Sequence, residues 1–253
     1  GGYNLLFFSQ TATYDPEELI AYEIGYKTQW FEDRLQLNGS FYYYDYENIH
    51  TVGTEVSLVG GTSTSVLEAP GAEIYGIEAE ATWLLTDRLT LGGNFSWTPS
   101  EYTESLLLSD PADASVPGSL YPEFADLTQD IKGNQLLQVP EGKATAWGSY
   151  RFPLQGGASL DLFGVYSWIS RVYYSPFERE SESADAYDRV DLRATFTSGN
   201  GSWIISAFVN NVFDDVGVLQ VLREGEAEFF RQSAGTTVPR HYGLEVTFQT
   251  GRY

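Results

Sequence analysis

Strict alternation of apolar and polar residues near the end of the chain limits its fold more than any other feature. One side of this segment carries Tyr242, Leu244, Val246 and Phe248, and the other carries His241, Gly243, Glu245 and Thr247. Successive side chains of a β-strand point to opposite faces of the sheet, so a period of two predicts a strand with one apolar and one polar face. A second segment of this kind, residues 203–209, lies just upstream.

The same alternation recurs along the whole chain and predicts ten strands. They cover residues 3–9, 19–30, 34–47, 72–85, 89–97, 143–152, 160–168 (or as far as Tyr174), 190–196, 203–209 and 240–248. Short turns and long loops alternate between them. The short turns are residues 31–33, 86–88, 153–157 and 198–202, and the long loops include residues 48–71, 98–140, 175–185 and 213–239.

This pattern predicts an all-β fold, a transmembrane antiparallel up-and-down β-barrel. Its strands approach the roughly 9–11 residues that cross a bilayer at a tilt. Tight turns on the periplasmic side and longer loops outside are typical of such barrels, as are aromatic girdles at both interfaces. The expected girdle residues are Trp30, Trp83, Phe152 and Phe196 near the short turns, and Tyr43, Trp97 and Trp168 near the long loops.

Composition removes several other classes of protein. The net charge of −21 disfavours nucleic acid as a partner, because a polyanion is repelled. The absence of Cys excludes disulfides and thiolate metal sites. An aromatic content of 15% argues against disorder.

The sequence offers little that resembles a catalytic centre. It contains two histidines, His50 and His241, which are expected to be isolated barrel or loop residues. Glu78 and Glu80 share the polar face of one predicted strand, and two such carboxylates can act as acid and base. Charged linings are common inside these barrels, however, so we predict that the chain is not an enzyme and has no catalytic residues.

Five segments resemble the β-barrel of TonB-dependent outer-membrane receptors. The first is Tyr14-Asp-Pro-Glu-Glu-Leu-Ile-Ala-Tyr-Glu-Ile-Gly-Tyr-Lys27, similar to a descending strand of that family. Phe31-Glu-Asp-Arg34 is similar to the turn that follows it, and Tyr75-Gly-Ile-Glu-Ala-Glu80 to a later strand. Asn210-Asn-Val-Phe-Asp214 and Pro239-Arg-His-Tyr-Gly-Leu-Glu-Val-Thr-Phe248 resemble its last elements.

The resemblance implies a bacterial outer-membrane location and active uptake of a scarce nutrient. That nutrient would be a ferric siderophore, cobalamin or a glycan, and transport would be energised through TonB. Residues 1–253 would form the C-terminal portion of a barrel of about 22 strands, without the plug domain. The expected partners are membrane lipid and lipopolysaccharide, a plug-bearing N-terminal segment, the TonB complex and the small-molecule nutrient.

Aromatic and arginine side chains at the loop bases are the predicted ligand-binding residues. Rings suit siderophores or sugars, and arginine suits an anionic chelate. The candidates are Tyr14, Tyr44, Tyr46, Arg171, Tyr173 and Tyr174.

The loops are also rich in acidic residues, which form three groups. They are Asp110, Asp113, Asp126 and Asp130; Glu178, Glu180, Glu182 and Asp185; and Glu224, Glu226 and Glu228. None has the spacing of a dedicated Ca²⁺ loop. We predict no cofactor and no metal site, with loop-bound Ca²⁺ that bridges these acids to lipopolysaccharide as the alternative.

Two other architectures fit the same strands. The first is a self-contained ten-stranded porin or structural barrel, in which cations and acids pair inside the lumen. The pairs would be drawn from Lys27, Lys143, Arg151 and Arg193 with Glu23, Glu78, Glu80 and Asp161. The second is a soluble secreted β-domain.

Overall fold

The computed structural model describes residues 1–3, 13–56, 62–109, 128–223 and 231–250. Within these ranges the elements are β-strands and two short 3-10 helices, Gln155–Gly157 and Glu180–Glu182. No helix in them has the length and apolar character needed to span a membrane. The strands are β1 (Gly2–Tyr3), β2 (Thr13–Tyr14), β3 (Glu18–Trp30), β4 (Leu35–Val56), β5 (Thr62–Leu84), β6 (Leu89–Trp97), β7 (Ser100–Tyr102), β8 (Leu107–Ser109), β9 (Thr128–Asp130), β10 (Gly142–Pro153), β11 (Ser159–Ile169), β12 (Val172–Tyr173), β13 (Ser183–Ala184), β14 (Tyr187–Thr197), β15 (Trp203–Asn210), β16 (Val218–Arg223), β17 (Gln232–Thr236) and β18 (His241–Phe248).

The long strands form one antiparallel meander that follows the order of the chain. From edge to edge it runs β3, β4, β5, β6, β10, β11, β14, β15 and β18. This order confirms the predicted all-β, up-and-down sheet. Of the predicted first strand, residues 3–9, only Tyr3 lies within the described residues. In the described part of the chain, β3 pairs only with β4 and β18 only with β15, so each edge of the meander is unpaired.

The short turns lie together at one end of the meander, as the alternating connection lengths predict. In the first turn, residues 31–33 all have positive φ, at 55°, 56° and 63°, a conformation that few residues other than glycine adopt. Arg34 links this turn to the next one. Its guanidinium donates hydrogen bonds to the Leu84 carbonyl at 2.9 Å and to Asp87 at 3.2 Å.

One face of the meander is apolar and exposed. Tyr22 and Ile24 on the edge strand are 64% and 72% exposed, and Phe95 in the middle of the sheet is 41% exposed. A continuous apolar surface of this kind is what a membrane barrel presents to lipid. On β5 the apolar stretch runs from Tyr75 to Trp83, about 26 Å along the strand at ~3.3 Å per residue. This length matches a lipid-facing band of about 25 Å.

Aromatic residues mark both limits of the apolar band. At the loop end, Tyr75 and Trp97 meet edge to face with ring centroids 6.0 Å apart. Trp203 and Phe248 pack at 4.7 Å near the short turns. Tyr43 also lies at the loop end, and its hydroxyl donates a 2.9 Å hydrogen bond to a glutamate that begins the polar region beyond the band.

The buried hydrophobic core lies beyond the band, at the loop end. We call it the outer core; its buried members are Ala69, Ala72, Tyr102, Leu108, Ile131 and Leu136, and Tyr46, Ile49, Leu67, Ile74, Leu106, Val139 and Phe177 pack against it. Tyr46 and Ala72 stand opposite each other on β4 and β5. Because side chains alternate, Tyr46 shares its face with the polar residues of β4. The outer core therefore covers the polar side of the meander.

The prediction of a polar loop at residues 48–71 is wrong for residues 48–56 and 62–71, while residues 57–61 lie outside the described residues. β4 continues to Val56 and β5 begins at Thr62, and the two strands stay paired over this stretch. The ladder is interrupted once, where Asn48 (φ 54°) faces Pro70, which has no N–H to donate. The hairpin persists because its side chains contribute to the outer core.

Other predicted loops also contain strands, and β7, β8 and β9 lie within the predicted loop at residues 98–140, of which residues 110–127 lie outside the described ones. The strand predicted to begin at residue 160 does not continue to Tyr174. β11 ends at Ile169, and a separate ladder of β12 with β13 follows. Within residues 213–239, β16 and β17 form a hairpin.

Candidate ligand-binding lumen and outer vestibule

The polar face of the meander lines a groove of about 730 Å³ over β3 to β6. Its charged side chains are Glu23, Lys27, Glu78 and Glu80, which leave it acidic. The strand register places Lys27, Asn38 and Glu80 in one row, and the Asn38 amide donates a hydrogen bond to Glu80. Polar linings are the rule inside membrane barrels. The groove is therefore the lumen side of the sheet.

Arginine–carboxylate pairs lie on the polar face further along the meander. They are Arg151–Asp161 at 2.6 Å, Arg189–Asp191 at 2.7 Å and Arg193–Glu245 at 2.7 Å. The pair Arg151–Asp161 is among the pairings expected from the sequence. Arg193 instead binds Glu245 of β18, which is not among the acids expected to pair with it. Partly exposed pairs of this kind add only about 0–1 kcal/mol each. Their main effect is to orient the charges.

The outer core joins separate loop segments into one scaffold on the lumen side. The Asn134 amide donates to the Pro176 carbonyl at 2.7 Å, and the Gln135 N–H donates to Glu178 at 2.6 Å. Burial raises the pKa of the Tyr102 phenol. The scaffold thus forms one wall of an outer vestibule.

Three of the predicted ligand-binding residues lie near β4. Tyr14 meets His50 edge to face, with ring centroids 4.8 Å apart. Tyr44 lies on the lumen face beside Tyr42, at 5.1 Å. Tyr46 packs against the outer core. Only Tyr44 of these three is therefore placed as a direct lining residue of the lumen.

The other three follow β11. Arg171 forms a 2.5 Å ion pair with Asp185, and the hydrogen bond to this carboxylate raises the pKa of Arg171. The Tyr174 hydroxyl donates to the Val218 carbonyl at 3.3 Å, and burial raises the pKa of this phenol. Within the described ranges no hydrogen bond or ring contact joins this group to the β4 group. The six residues thus form two separate clusters.

Both histidines have local hydrogen-bond partners. His50 Nε2 lies 2.8 Å from the Asp15 carbonyl, and its Nδ1 lies 3.8 Å from Glu17. His241 Nε2 lies 2.9 Å from the Asn210 amide. These contacts place each histidine in a local polar network.

The acidic loops do not assemble into a cation site in the part of the chain that is described, where no group of three or more His, Asp or Glu suits a metal ion. Glu178 accepts a backbone hydrogen bond and Asp185 pairs with Arg171. Asp110, Asp113, Asp126, Glu224, Glu226 and Glu228 lie outside the described residues. Calcium bound through those loops remains a proposal.

Two adjoining cavities lie where β10, β11 and β14 meet, and of the six predicted ligand-binding residues Tyr174 lines the smaller one. They measure about 380 Å³ and 260 Å³, and Lys143, Ile169 and Tyr187 line both. Arg189 lines the larger one. Lys143 is recognisable in the sequence as a lumen cation, but only the register across three strands brings it beside Tyr187 and Arg189.

The exposed apolar band, the polar lumen face and the outer core are the features of an outer-membrane β-barrel. Residues 2–212 match the family described as "TonB dependent receptor-like, beta-barrel". The chain belongs to this family of receptors, which confirms the family resemblance and the outer-membrane location.

Curated relatives agree with this assignment. The chain is 26% identical over 243 residues to the ferrichrome outer membrane transporter/phage receptor of Escherichia coli K12, covering 85% of this chain and 28% of the relative. It is 24% identical over 234 residues to the ferric-pyoverdine M114 receptor PbuA of Pseudomonas sp. M114, covering 89% and 24%. The chain thus spans about a quarter of the length of these relatives. They are receptors and transporters, in agreement with the prediction that the chain is not an enzyme.

Two solved structures show the same fold. The ferric yersiniabactin uptake receptor FyuA from Yersinia pestis matches with a TM-score of 0.68 at 17% identity, over 92% of this chain and 30% of that one. The siderophore receptor PiuA from Acinetobacter baumannii matches with a TM-score of 0.65 at 20% identity, over 94% and 29%.

Proposed function

We propose that the chain is part of an outer-membrane receptor that takes up a ferric siderophore or a similar metal chelate, energised through TonB. The names of the curated relatives support this ligand class, since they include receptors for ferrichrome, ferric pyoverdine and metal–pseudopaline. These names favour a metal chelate over cobalamin or a glycan.

The observation that carries the proposal is the folded outer core on the lumen side of the sheet. Ile131 and Ala72 within it are 0% exposed, so the described loop segments have a hydrophobic core of their own. A selective receptor needs ordered outer loops that hold ligand-contacting side chains in place. A passive pore has no such requirement.

The same geometry suggests where the partners bind. The acidic groove around Glu78 and Glu80 suits a plug-bearing segment that fills the lumen. The unpaired edges of β3 and β18 suit further strands of a barrel of about 22. The apolar band would contact lipid and lipopolysaccharide, and the plug would reach the TonB complex.

Uptake of radiolabelled iron chelates tests the proposal. Cells with and without the full-length gene that encodes this chain would be given ⁵⁵Fe bound to a panel of siderophores, with a tonB-deletion strain as the energy control. We expect uptake of at least one chelate to be lost in both deletions. Uptake that persists without the gene would contradict the receptor assignment. Gene-dependent but TonB-independent permeation, with channel conductance in planar bilayers, would support the porin alternative instead.

A further inference from the structure

We infer that Lys143, Tyr187 and Arg189 form a subsite for an anionic oxygen group of the transported chelate. This inference rests on the proposed function, because it specifies the charge class of the ligand. It adjoins the second cluster of predicted ligand-binding residues, since Tyr174 lines the smaller cavity, but none of its three residues belongs to either cluster.

The strand register brings the three side chains to one face. Lys143 pairs with Ile169, which pairs with Tyr187, so these residues lie in one row across β10, β11 and β14. Ser167 and Arg189 pair in the next row. Lys143 and Tyr187 line both adjoining cavities, of about 380 Å³ and 260 Å³, and Arg189 lines the larger. The site is therefore open to a ligand on the lumen side.

Hydrogen-bond donors at this site lack acceptors. The Tyr187 hydroxyl oxygen is buried without a hydrogen-bond partner. Arg189 binds Asp191 through Nε at 2.7 Å, and neither of its Nη groups has a partner among the described residues. Lys143 likewise forms no ion pair with any of the described residues. A buried polar group without a partner costs free energy, so an acceptor supplied by a ligand would stabilise this arrangement.

The chemistry of the site selects an anion rather than a cation. An ammonium, a guanidinium and a phenol offer donors to carboxylate, catecholate or hydroxamate oxygens. The carboxylate of the larger cavity, Asp191, is already engaged by Arg189 and by the Asn211 N–H at 2.7 Å. The carboxylate of the smaller cavity, Asp185, is paired with Arg171. The chain as a whole carries a charge of −21. Local cations in an acidic barrel would offset the general repulsion of an anionic ligand at this one place.

Direct binding to the purified full-length receptor tests the subsite. The probes are two anionic complexes, ferric citrate and ferric pyrophosphate, and the cationic complex ferrioxamine B, each followed by quenching of tryptophan fluorescence. We expect the anionic complexes to bind more tightly. Lys143→Gln and Arg189→Gln should each weaken their binding roughly ten- to a hundredfold, as expected for loss of a charged hydrogen-bond partner.

Two further variants control for folding and for general charge. Lys132→Gln removes a lysine from an exposed loop position outside the cavities, and its binding should stay within about twofold of the wild type. The double variant Lys143→Glu and Arg189→Glu should reverse the preference toward ferrioxamine B. All variants must retain the heat-modifiable mobility of a folded barrel on SDS gels.

The outcomes separate the subsite from the proposed function. Anion binding that the variants abolish, in a receptor that transports no chelate, would support the subsite and contradict the receptor function. Transport of a chelate that is unaffected by Lys143→Gln and Arg189→Gln would support the function and overturn the subsite. Absence of binding by both anionic probes would also overturn it.

Discussion

A single exposed carboxylate organises part of the outer scaffold. Asp130 accepts hydrogen bonds from the Ser105 hydroxyl at 2.8 Å, the Leu106 N–H at 3.1 Å and the Lys132 N–H at 3.1 Å. These bonds lower the pKa of Asp130, with the Lys132 N–H as the largest cause. At the residue scale, one side chain thus joins the segment before β8 to the end of β9.

The lowered pKa gives a testable pH dependence. The folded loop favours the ionised form of Asp130. The contribution of Asp130 to the stability of the loop is therefore complete at a pH above its ordinary pKa of 3.8, and it is lost as the pH falls through the lowered pKa. Hydrogen exchange at the Leu106 and Lys132 amides, corrected for intrinsic rates, should therefore accelerate in acid. Asp130→Asn should accelerate it already at neutral pH. Glu104→Gln, in the same loop, should leave it unchanged; equal effects of the two variants would contradict this role.

A glycine is required where two short turns meet. A Cβ on Gly199 would lie 1.8 Å from the Gly156 carbonyl oxygen of the neighbouring turn. Gly199→Ala should therefore force the turns apart and destabilise the barrel by about 1–3 kcal/mol, as overpacking does. Gly235→Ala is the control, since its nearest neighbour would be 4.0 Å away. The temperature at which the folded band disappears on SDS gels should fall for the first variant only.

At the scale of elements, the sequence predicts strands well where each face has a distinct environment. β6 was predicted with the bounds Leu89–Trp97 that it has, because lipid and lumen impose period two along its whole length. The outer parts of β4 and β5 were missed because neither face of that hairpin meets lipid. Tertiary packing against the outer core maintains the pairing there.

The candidate site was harder to predict for a related reason. Tyr44 was predicted as a ligand-binding residue at a loop base; strand parity places its side chain on the lumen face, and its contact with a ligand stays a prediction. The role of Tyr46 in the outer core depends on Ile131 and Leu136, which are distant in sequence. The cluster of Lys143 with Tyr187 depends on the register of three strands. Alternation predicts which face a residue occupies but not which residues meet across strands or loops.

The outer core should be a separate unit of stability. Ile131 is 0% exposed, whereas Leu107 in the same loop region is 60% exposed. Ile131→Ala should cost about 2–5 kcal/mol of local stability, and Leu107→Ala much less. Limited proteolysis of intact cells should then cleave the loop of the first variant faster while the barrel stays heat-modifiable. Simultaneous loss of the barrel band would show that loop and barrel unfold together.

At the scale of the whole molecule, one face of the sheet suits lipid and the other suits the polar lumen of a barrel. The apolar face contains residues as exposed as Leu244, at 68%, while the polar face carries the groove and its ion pairs. In water the apolar face would promote aggregation. In a membrane the same face stabilises the fold, and the polar face becomes the enclosed side of the barrel. The soluble β-domain alternative gives no role to this surface.

Adjacent residues on β6 provide the sharpest test of this arrangement. Phe95 lies on the apolar face near the middle of the band, opposite Ala79 and Ala144, whereas Asn94 lies on the polar face opposite Glu80. Phe95→Arg places a charge in lipid at a cost of about 2–4 kcal/mol near the midplane. Asn94→Arg adds the same charge at the same depth on the lumen side, where acidic neighbours accept it. Outer-membrane fractions should contain much less folded, heat-modifiable receptor for Phe95→Arg and near-normal amounts for Asn94→Arg. Equal assembly of the two variants, or the reverse order, would show that the lipid and lumen faces have been assigned wrongly.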